Sequence, residues 1–383
     1  MTSLAAHPFL MGVLLGDEPE TLLPLAQGAA DWEEILREAM GHGLTALLYG
    51  WLKRADIRHR LPAPLAVDFE GQFFGLAARN ILLSRELATL LRAFEEQQVR
   101  CAPLRGLDLA ERLYGDITAR PMGDLDLLVR KEDLAEVATI LQGLGYRGID
   151  RRAGFAQAFC NTLEFYKDRH GWIIVEPHWT IAYPPFVDRV DMEGVWRRCS
   201  RGRVVGVDTW LLAPEDLLFH LCLHLTHRDG TAPLLWFYEL DRLLRQEEAA
   251  LDWHRLVVTA REAGLESLLS RTLGKVRALF GTPLPDRVLD QLASTSSTSL
   301  EGRLVRLLAG GSSVDGKESL AVLFTLKGFR AKLKYALALL FPSPEFMRVE
   351  YGLTSETQLG VAYLRRFRFL VWEGCKGIVR LFA

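Results

Sequence analysis

The sequence has few cysteines, and none of them is placed for a disulfide framework or a zinc site. Its 383 residues include five cysteines at long, irregular spacings without one Cys-x-x-Cys pair, namely Cys101, Cys160, Cys199, Cys222 and Cys375. An odd, scattered set of this kind excludes a disulfide scaffold and a zinc ribbon. We therefore expect a reducing compartment, the cytoplasm.

A strong charge of one sign and a long apolar run are missing too. Lys and Arg number 46 against 48 Asp and Glu, a net charge of −2, so the whole chain has no strong attraction for nucleic acid or acidic lipid. No apolar run approaches the roughly 20 residues of a membrane-spanning helix. The apolar residues 9–15 lack the basic flank of a secretory leader and precede acidic residues, so we expect no export signal.

The composition is that of a folded protein, with 49% hydrophobic and 25% charged residues. Apolar residues recur at helical spacing over 31–98, with a break at Pro62 and Pro64, and helical patterns resume at Pro214. Between these regions lie predicted strands and helices: strands at 99–104, 124–129, 162–166, 172–176 and 204–211, and helices at 107–114 and 131–144. We therefore predict an α+β protein whose small mixed-sheet core is flanked by helical regions on both sides.

The predicted division of the chain follows these patterns. Residues 1–95 form an N-terminal helical region, residues 96–212 the α+β core, and residues 213–383 a C-terminal helical domain. A chain of this length has room for two or three such parts.

The predicted strand at 124–129 carries two acids, Asp124 and Asp126. Because side chains alternate along a strand, both carboxylates project from one face while Leu125 and Leu127 enter the core. Two such carboxylates repel each other, and one takes up a proton unless a cation lies between them. Mg²⁺ or Mn²⁺ removes this conflict, and phosphoryl or nucleotidyl transfer uses ions held in this way. The structural alternative is that acids at a strand end cap turns.

Glu176 is the candidate for a third acid. It lies in the otherwise apolar run 172–179, where an unpaired carboxylate is costly to bury. His178 projects from the same face of the predicted strand, which makes it a candidate contact for a phosphate or for the acceptor.

Candidate phosphate contacts lie upstream of the acids. The Arg105-Gly106 turn precedes a predicted helix, whose first N–H groups can receive phosphate oxygens. Arg105 and Arg120 can add charge-assisted hydrogen bonds to a triphosphate. Each arginine alone is more often a surface or salt-bridge residue.

Three histidines recur at one helical face after Pro214, namely His220, His224 and His227. Their spacing suits a transition metal. No glutamate completes a His-Glu-x-x-His motif, so we favour a role in packing or in lining a substrate pocket.

The end of the chain is locally basic. Residues 323–383 hold ten basic and four acidic residues, a net charge of +6, and Arg365, Arg366 and Arg368 alternate with aromatic residues. Nucleic acid or an anionic membrane fits such a segment. We favour instead a helix whose arginines extend over a packed aromatic face.

The segment 104–129 resembles the uncharacterised nucleotidyltransferase family of the DNA polymerase β-like superfamily. Its members carry a Lys/Arg-Gly turn, a helix ending near a tyrosine, an arginine, and Asp-x-Asp followed by aliphatic residues. The matching residues here are Arg105-Gly106, Tyr114, Arg120 and Asp124-Leu-Asp126-Leu-Leu-Val129. Two features depart from the superfamily: Arg105-Gly106 replaces the usual Gly-Ser turn, and Glu176 stands where aspartate is more usual.

The resemblance implies transfer of a nucleoside monophosphate from an NTP, such as ATP, to a hydroxyl-bearing acceptor, with release of pyrophosphate. It implies that Asp124, Asp126 and Glu176 are catalytic and hold Mg²⁺ or Mn²⁺. It also implies nucleotide contacts from a second set, Arg105, Gly106, Arg120 and His178. The alternatives are an inactive nucleotide- or partner-binding module of the same fold and a nucleic-acid-processing enzyme, which the near-neutral charge disfavours.

Overall fold

The computed structural model describes residues 6–168, 171–227, 232–293, 317–353 and 355–382. Within these ranges, helices lie before and after a five-stranded sheet, and a separate two-stranded sheet contacts the edge of it. The predicted α+β class with helical flanks is confirmed.

The described part of the chain before the sheet is helical. Its helices are α1 (Pro8–Leu15), α2 (Pro19–Leu22), α3 (Ala29–Gly41), α4 (Thr45–Arg54) and α5 (Ala63–Glu96). Pro62 and Pro64 lie at the start of α5, where proline costs no backbone hydrogen bond. In α1, Phe9 is fully buried and its ring lies edge-on to Trp32 at 5.3 Å. Phe9, Leu10 and Leu14 of this apolar run therefore belong to the core, whereas Leu15 is exposed.

The central sheet is mixed, as predicted. Its strands are β1 (Cys101–Pro103), β2 (Asp124–Val129), β3 (Arg147–Ile149), β4 (Glu164–Asp168) and β5 (Trp172–His178), in the spatial order β1-β2-β5-β4-β3. Only β2 and β5 pair in parallel within this described sheet. Parallel neighbours need a long crossover, which here contains the helices α7 (Leu134–Gly143) and α8 (Phe155–Phe159).

The segment between β1 and β2 begins as the predicted helix. α6 (Leu107–Leu109) continues into a π-helical turn, Ala110–Tyr114, and ends at Gly115, whose φ is 64°. A glycine accepts this left-handed conformation without strain.

The prediction of a single strand at 204–211 is wrong. The chain forms α9 (Met192–Arg198) and then a hairpin of β6 (Ser200–Val204) and β7 (Val207–Leu211), with positive φ at Val205 and Gly206. Gly206 permits the tight turn. Because β6 is mostly polar, a pattern of hydrophobic residues does not predict it.

Helices fill the described chain after the hairpin. They are α10 (Pro214–His227), α11 (Leu234–Gln246), α12 (Trp253–Ala263), α13 (Glu266–Phe280), α14 (Asp286–Ala293), α15 (Lys317–Thr325), α16 (Phe329–Leu340), α17 (Pro344–Tyr351) and α18 (Glu356–Phe382). α10 begins at Pro214, as predicted. None of the helices in the described ranges is long and apolar enough to cross a bilayer.

Two large hydrophobic clusters hold most of these elements together, and a small third cluster joins α8 to α15 and α16 through Phe155, Val322 and Tyr335. One of the two large clusters joins the N-terminal helices to α10–α14 and includes Phe9, Trp32 and Phe219. The other lies between the sheet, α7 and the second half of α5, and includes Leu90 and Leu127. The division into parts at residues 95 and 212 stays a prediction, because the first cluster draws on helices from both ends of the chain.

Candidate functional site

The register of β2 and β5 places acids opposite each other. Asp126 pairs with Glu176 across the two parallel strands, and Asp124 lies two residues earlier on the same face of β2. The alternate residues Leu125 and Val175 belong to the buried cluster behind the sheet. One face of the two central strands therefore carries the polar side chains, and the other face anchors them.

A carboxylate-imidazole cluster forms on this face. Ligand atoms of Asp126, Glu176 and His178 all lie within 4.8 Å of one another. His178 Nε2 donates a hydrogen bond to Asp126 Oδ1 at 3.0 Å and lies 3.6 Å from Glu176 Oε2. His178, predicted only as a phosphate or acceptor contact, thus belongs to the acidic cluster itself.

Asn161 fixes the orientation of His178. Asn161 Nδ2 donates to His178 Nδ1 at 3.1 Å, and both side chains are buried. This bond leaves the proton of neutral His178 on Nε2, the nitrogen that faces Asp126. Asn161 was missed from the sequence, because a lone asparagine before a strand carries no signal for a site.

Arg105 lies against the cluster rather than in open space. Its Nη2 forms an ion pair with Asp126 Oδ2 at 2.5 Å, and its Nη1 contacts the ring nitrogens of His224. Among the described residues, no group accepts a hydrogen bond from its buried Nε. Arg105 therefore has one unmet donor beside the carboxylates.

Two side chains, those of Met122 and Arg120, lie close to the backbone of the Gly106 turn. The φ of Gly106 is 64°, and a Cβ built there would lie 3.4 Å from Met122 Sδ and 3.9 Å from Arg120 Nη1. A larger residue would be strained and would narrow the turn.

The two aspartates have unequal electrostatic environments. Burial raises the pKa of Asp126, but Arg105 and His178 outweigh it and hold that pKa far below its usual range. Burial, followed by the charge of Asp126, raises the pKa of Asp124 to about 6. Burial also disfavours the charged form of His178, yet its hydrogen bonds to Asp126 and Glu176 raise its pKa above the usual value. The repulsion expected between the aspartates is therefore present, and Arg105 supplies the cation at one of them.

Arg120 is paired with a residue that the sequence did not indicate. Its Nε donates to Glu239 Oε1 of α11 at 2.6 Å, and both residues are buried. Asn80 of α5 donates to the carbonyl oxygens of Ile117 and Arg120 at 2.7 Å each. Arg120 is thus fixed by a structural ion pair, with Nη1 directed towards Gly106.

The histidines of α10 pack around the cluster, in line with the favoured interpretation. His220 Nδ1 donates to Ile181 O at 2.9 Å, and burial lowers its pKa to about 3. His224 contacts Arg105 and accepts a hydrogen bond at Nδ1 from Tyr183 Oη at 3.1 Å. The side chain of His227 lies outside the described residues.

Two cavities lie away from the cluster. One, of about 550 Å³, is bounded by Tyr114, Asp116 and Thr118 in the segment between α6 and β2. The other, of about 650 Å³, lies between the Pro184-Pro185 segment and α15. Neither is lined by Asp126, Glu176 or His178.

The sequence model of the uncharacterised nucleotidyltransferase family matches residues 28–281, about two-thirds of the chain. The chain belongs to this family. The match contains the carboxylate-imidazole cluster, Arg105, Arg120 and the helices that pack over them. Membership supports nucleotidyl transfer with an NTP substrate and names no acceptor or ion. No curated protein and no solved structure matches the chain.

Proposed function

We propose that this nucleotidyltransferase moves a nucleoside monophosphate from an NTP, such as ATP, to a hydroxyl-bearing acceptor and releases pyrophosphate. The observation that carries the proposal is the pairing of Asp126 with Glu176 on parallel strands inside the family-matched range. The acceptor is a small molecule, a peptide or a protein.

The donor set fits a divalent ion that prefers oxygen. Asp126 and Glu176 offer carboxylate oxygens next to His178, and Asp124 adds a third carboxylate on the same face. Asp124, Asp126 and Glu176 would hold Mg²⁺ or Mn²⁺. Such an ion neutralises charge on phosphate oxygens and lowers the pKa of a bound hydroxyl.

Glu176 is the acid best placed for the acceptor. Its side chain is 26% exposed, against 4% for Asp126, so an acceptor hydroxyl can approach it from solvent. We assign to Glu176 the removal of the hydroxyl proton as the oxygen attacks the α-phosphorus. His178 holds Asp126 in position, and its Nε2–H hydrogen bond keeps that carboxylate directed at the site.

Three residues bind the triphosphate in this proposal. Gly106 permits the left-handed backbone of the turn, Arg105 has an unmet Nε beside the carboxylates, and the Nη1 of Arg120 lies near Gly106. These donors would stabilise the negative charge that develops on the departing pyrophosphate.

The second candidate is a nucleotide- or partner-binding module without turnover. The buried Arg105–Asp126 ion pair favours it, because the guanidinium already neutralises the carboxylate that a metal needs. In this case the fold holds its ligand and no pyrophosphate is released.

The test uses the full chain with Mg²⁺ or Mn²⁺ and each α-labelled NTP, with pyrophosphate release and label transfer as readouts. Activity that is lost in Asp126→Ala and kept in Asp208→Ala, an exposed carboxylate on β7, supports the enzyme. Nucleotide binding without release supports the module. Absence of both overturns the enzyme and the nucleotide-binding form of the module.

We also propose a cytoplasmic location. All five cysteines are free thiols, which suits a reducing compartment.

A further inference from the structure

The long C-terminal helices present apolar side chains to solvent. On α18, a stripe of side chains at helical spacing is between 47% and 69% exposed: Val361, Leu364, Val371, Trp372 and Val379. On α16 and just beyond its end, a second series is between 44% and 78% exposed: Phe329, Leu333, Leu337 and Phe341. Together these nine residues are called the C-terminal apolar surface.

The opposite face of α18 anchors the helix to the protein. Ala362, Arg366 and Glu373 are buried there, and Arg366 Nε donates to Leu339 O of α16 at 2.7 Å. α18 also contacts α15 and α17. The inward side of the helix therefore holds its buried residues and its contacts with the other helices. The side that faces away from the protein is apolar.

The favoured sequence interpretation of a packed aromatic face is wrong for this helix. Phe367, Phe369 and Trp372 are 43%, 46% and 66% exposed. Alternation of Arg and aromatic residues does not show which side of a helix meets the core, because that depends on the helices packed against it.

Exposed cations accompany the apolar surface. Arg330 and Lys334 lie on α16, and Arg365 and Arg368 lie on α18. Within the described chain, none of these four has a carboxylate partner. α16 contains no acidic residue, and Glu373 of α18 faces inward and pairs with Lys376 at 2.5 Å. The outward faces thus combine apolar side chains with uncompensated positive charge.

This combination matches one kind of partner. A helix lying in a bilayer interface buries Trp, Leu and Val at the acyl boundary while Arg and Lys reach anionic headgroups. Single-stranded nucleic acid would use the aromatic rings but leaves the aliphatic residues of α18 without a partner. An apolar protein partner would cover the stripe but leaves the four cations unmatched.

We propose that α18, with α16 beside it, docks on the surface of a membrane that contains anionic lipids. Val361 and Val379 are the ends of a stripe that spans roughly 27 Å at the rise of an α-helix, so the helix would lie along the membrane plane. The surface follows the family-matched range 28–281, so docking is a property added to the nucleotidyltransferase part.

Vesicle sedimentation tests the proposal with the full chain. Vesicles of phosphatidylcholine with phosphatidylglycerol are compared with phosphatidylcholine alone, at low and high salt. We expect binding to the anionic vesicles to be at least about tenfold tighter and to weaken with salt, because headgroup attraction is screened.

Two variants separate the apolar and charged contributions. Leu364→Ser with Trp372→Ser should reduce binding about tenfold or more at any salt. Arg365→Gln with Arg368→Gln should remove most of the preference for anionic lipid. All four side chains are exposed, so both variants should unfold at the wild-type temperature. Val67→Ser, at a residue that is 72% exposed on α5, is the matched control and should bind like the wild type.

Several results would overturn the proposal. One is failure of the wild type to bind anionic vesicles, and another is binding that both C-terminal variants retain. Self-association that depends on Trp372 without vesicle binding would assign the surface to a second copy of the chain. Retention of a single-stranded oligonucleotide without vesicle binding would assign it to nucleic acid. No outcome depends on nucleotide transfer, so the proposed activity is tested separately.

Discussion

Arg105 and Asp126 form a buried ion pair at the centre of the carboxylate-imidazole cluster, with Nη2 2.5 Å from Oδ2. Any divalent ion that binds Asp126 must share this carboxylate with the guanidinium or displace it. The pair is therefore the point at which an active nucleotidyltransferase and a binding module differ.

Replacement of Arg105 distinguishes these two states. In Arg105→Met without metal, Asp126 stays buried and loses its ion pair while it keeps the hydrogen bond from His178, so we expect the free energy of unfolding to fall by about 3–5 kcal/mol. Saturating Mn²⁺ should restore much of this loss, because ligand binding to the folded state adds stability. Urea unfolding with EDTA and with Mn²⁺ measures both effects.

The control for that experiment is an exposed pair. Arg201 and Glu95 are 43% and 53% exposed, so Arg201→Met should change stability by less than about 1 kcal/mol and show no response to Mn²⁺. Absence of Mn²⁺ rescue in Arg105→Met would favour the module over the enzyme.

Asp124 should make stability depend on pH in the absence of metal. Its pKa rises from an ordinary value of 3.8 to about 6 in the folded protein, so the folded state holds the proton more tightly than the unfolded state. This contribution is complete below about pH 3.8 and is lost as pH rises through about 6. The asparagine side chain of Asp124→Asn does not titrate, so the free energy of unfolding of this variant should not fall over this range. Between pH 4 and pH 7 it should come to exceed that of the wild type by up to about 1–3 kcal/mol.

Thermal unfolding in EDTA at several pH values measures this difference. Added Mn²⁺ should reverse its sign at pH 7, because the variant lacks a ligand that the wild type offers. A difference between the two proteins that stays constant with pH would contradict the assignment of the shift to Asp124.

Asn161 should act as a positioning residue for His178. Asn161→Ala removes the hydrogen bond to Nδ1, so the imidazole loses its fixed tautomer and its hold on Asp126. Loss of such supporting contacts weakens metal binding or activity about 10- to 100-fold. Calorimetric titration with Mn²⁺ and the rate of pyrophosphate release give the two readouts.

Thr162→Ala is the neighbouring control. The Thr162 hydroxyl donates to the carbonyl oxygens of Leu163 and Pro177 and does not touch the cluster. It should leave Mn²⁺ affinity unchanged. Equal Mn²⁺ affinity in wild type and Asn161→Ala would show that the hydrogen bond has no part in the site.

The Arg120–Glu239 pair should be a determinant of stability. Glu239→Ala leaves a guanidinium buried without its partner, at a cost of about 3–5 kcal/mol. Arg120→Met should lower the free energy of unfolding by a similar amount. The double variant should lose less than the sum of the two single losses, because both changes remove the same interaction. Urea unfolding of the four proteins measures the coupling.

The comparison variant is Asp286→Ala, because Asp286 is 78% exposed in its pair with Arg277. This substitution should lower the free energy of unfolding by less than about 1 kcal/mol. Strictly additive losses in the Arg120 and Glu239 variants would mean that the two side chains act independently.

The sequence predicted the parts of the site that follow from local periodicity. The period of two along β2 placed Asp124 and Asp126 on one face, and the apolar run around Glu176 marked a second strand with an acid in it. The parallel pairing then brought Asp126 opposite Glu176. The predicted helix start at Pro214 and the predicted break at Pro62 and Pro64, where α5 begins, followed from the same kind of local signal, since proline is confined to the first turn of a helix.

The residues that contact the site from distant parts of the sequence could not be predicted, for a physical reason. Asn161, Tyr183 and Glu239 reach the site through the packing of whole elements, and Glu239 lies 119 residues from Arg120 along the chain. A sequence pattern shows which face of an element is polar but not which neighbour that face meets. The same limit explains why the exposed face of α18 was not predicted.

The helix α5 links the two hydrophobic clusters. Phe69 near its start belongs to the cluster shared with the terminal helices, and Leu90 near its end belongs to the cluster behind the sheet. At 34 residues the helix is roughly 50 Å long, and it is continuous between these points. Because the helix connects the two clusters rigidly, unfolding of one cluster removes packing contacts from the other, and we expect both clusters to unfold in one cooperative step.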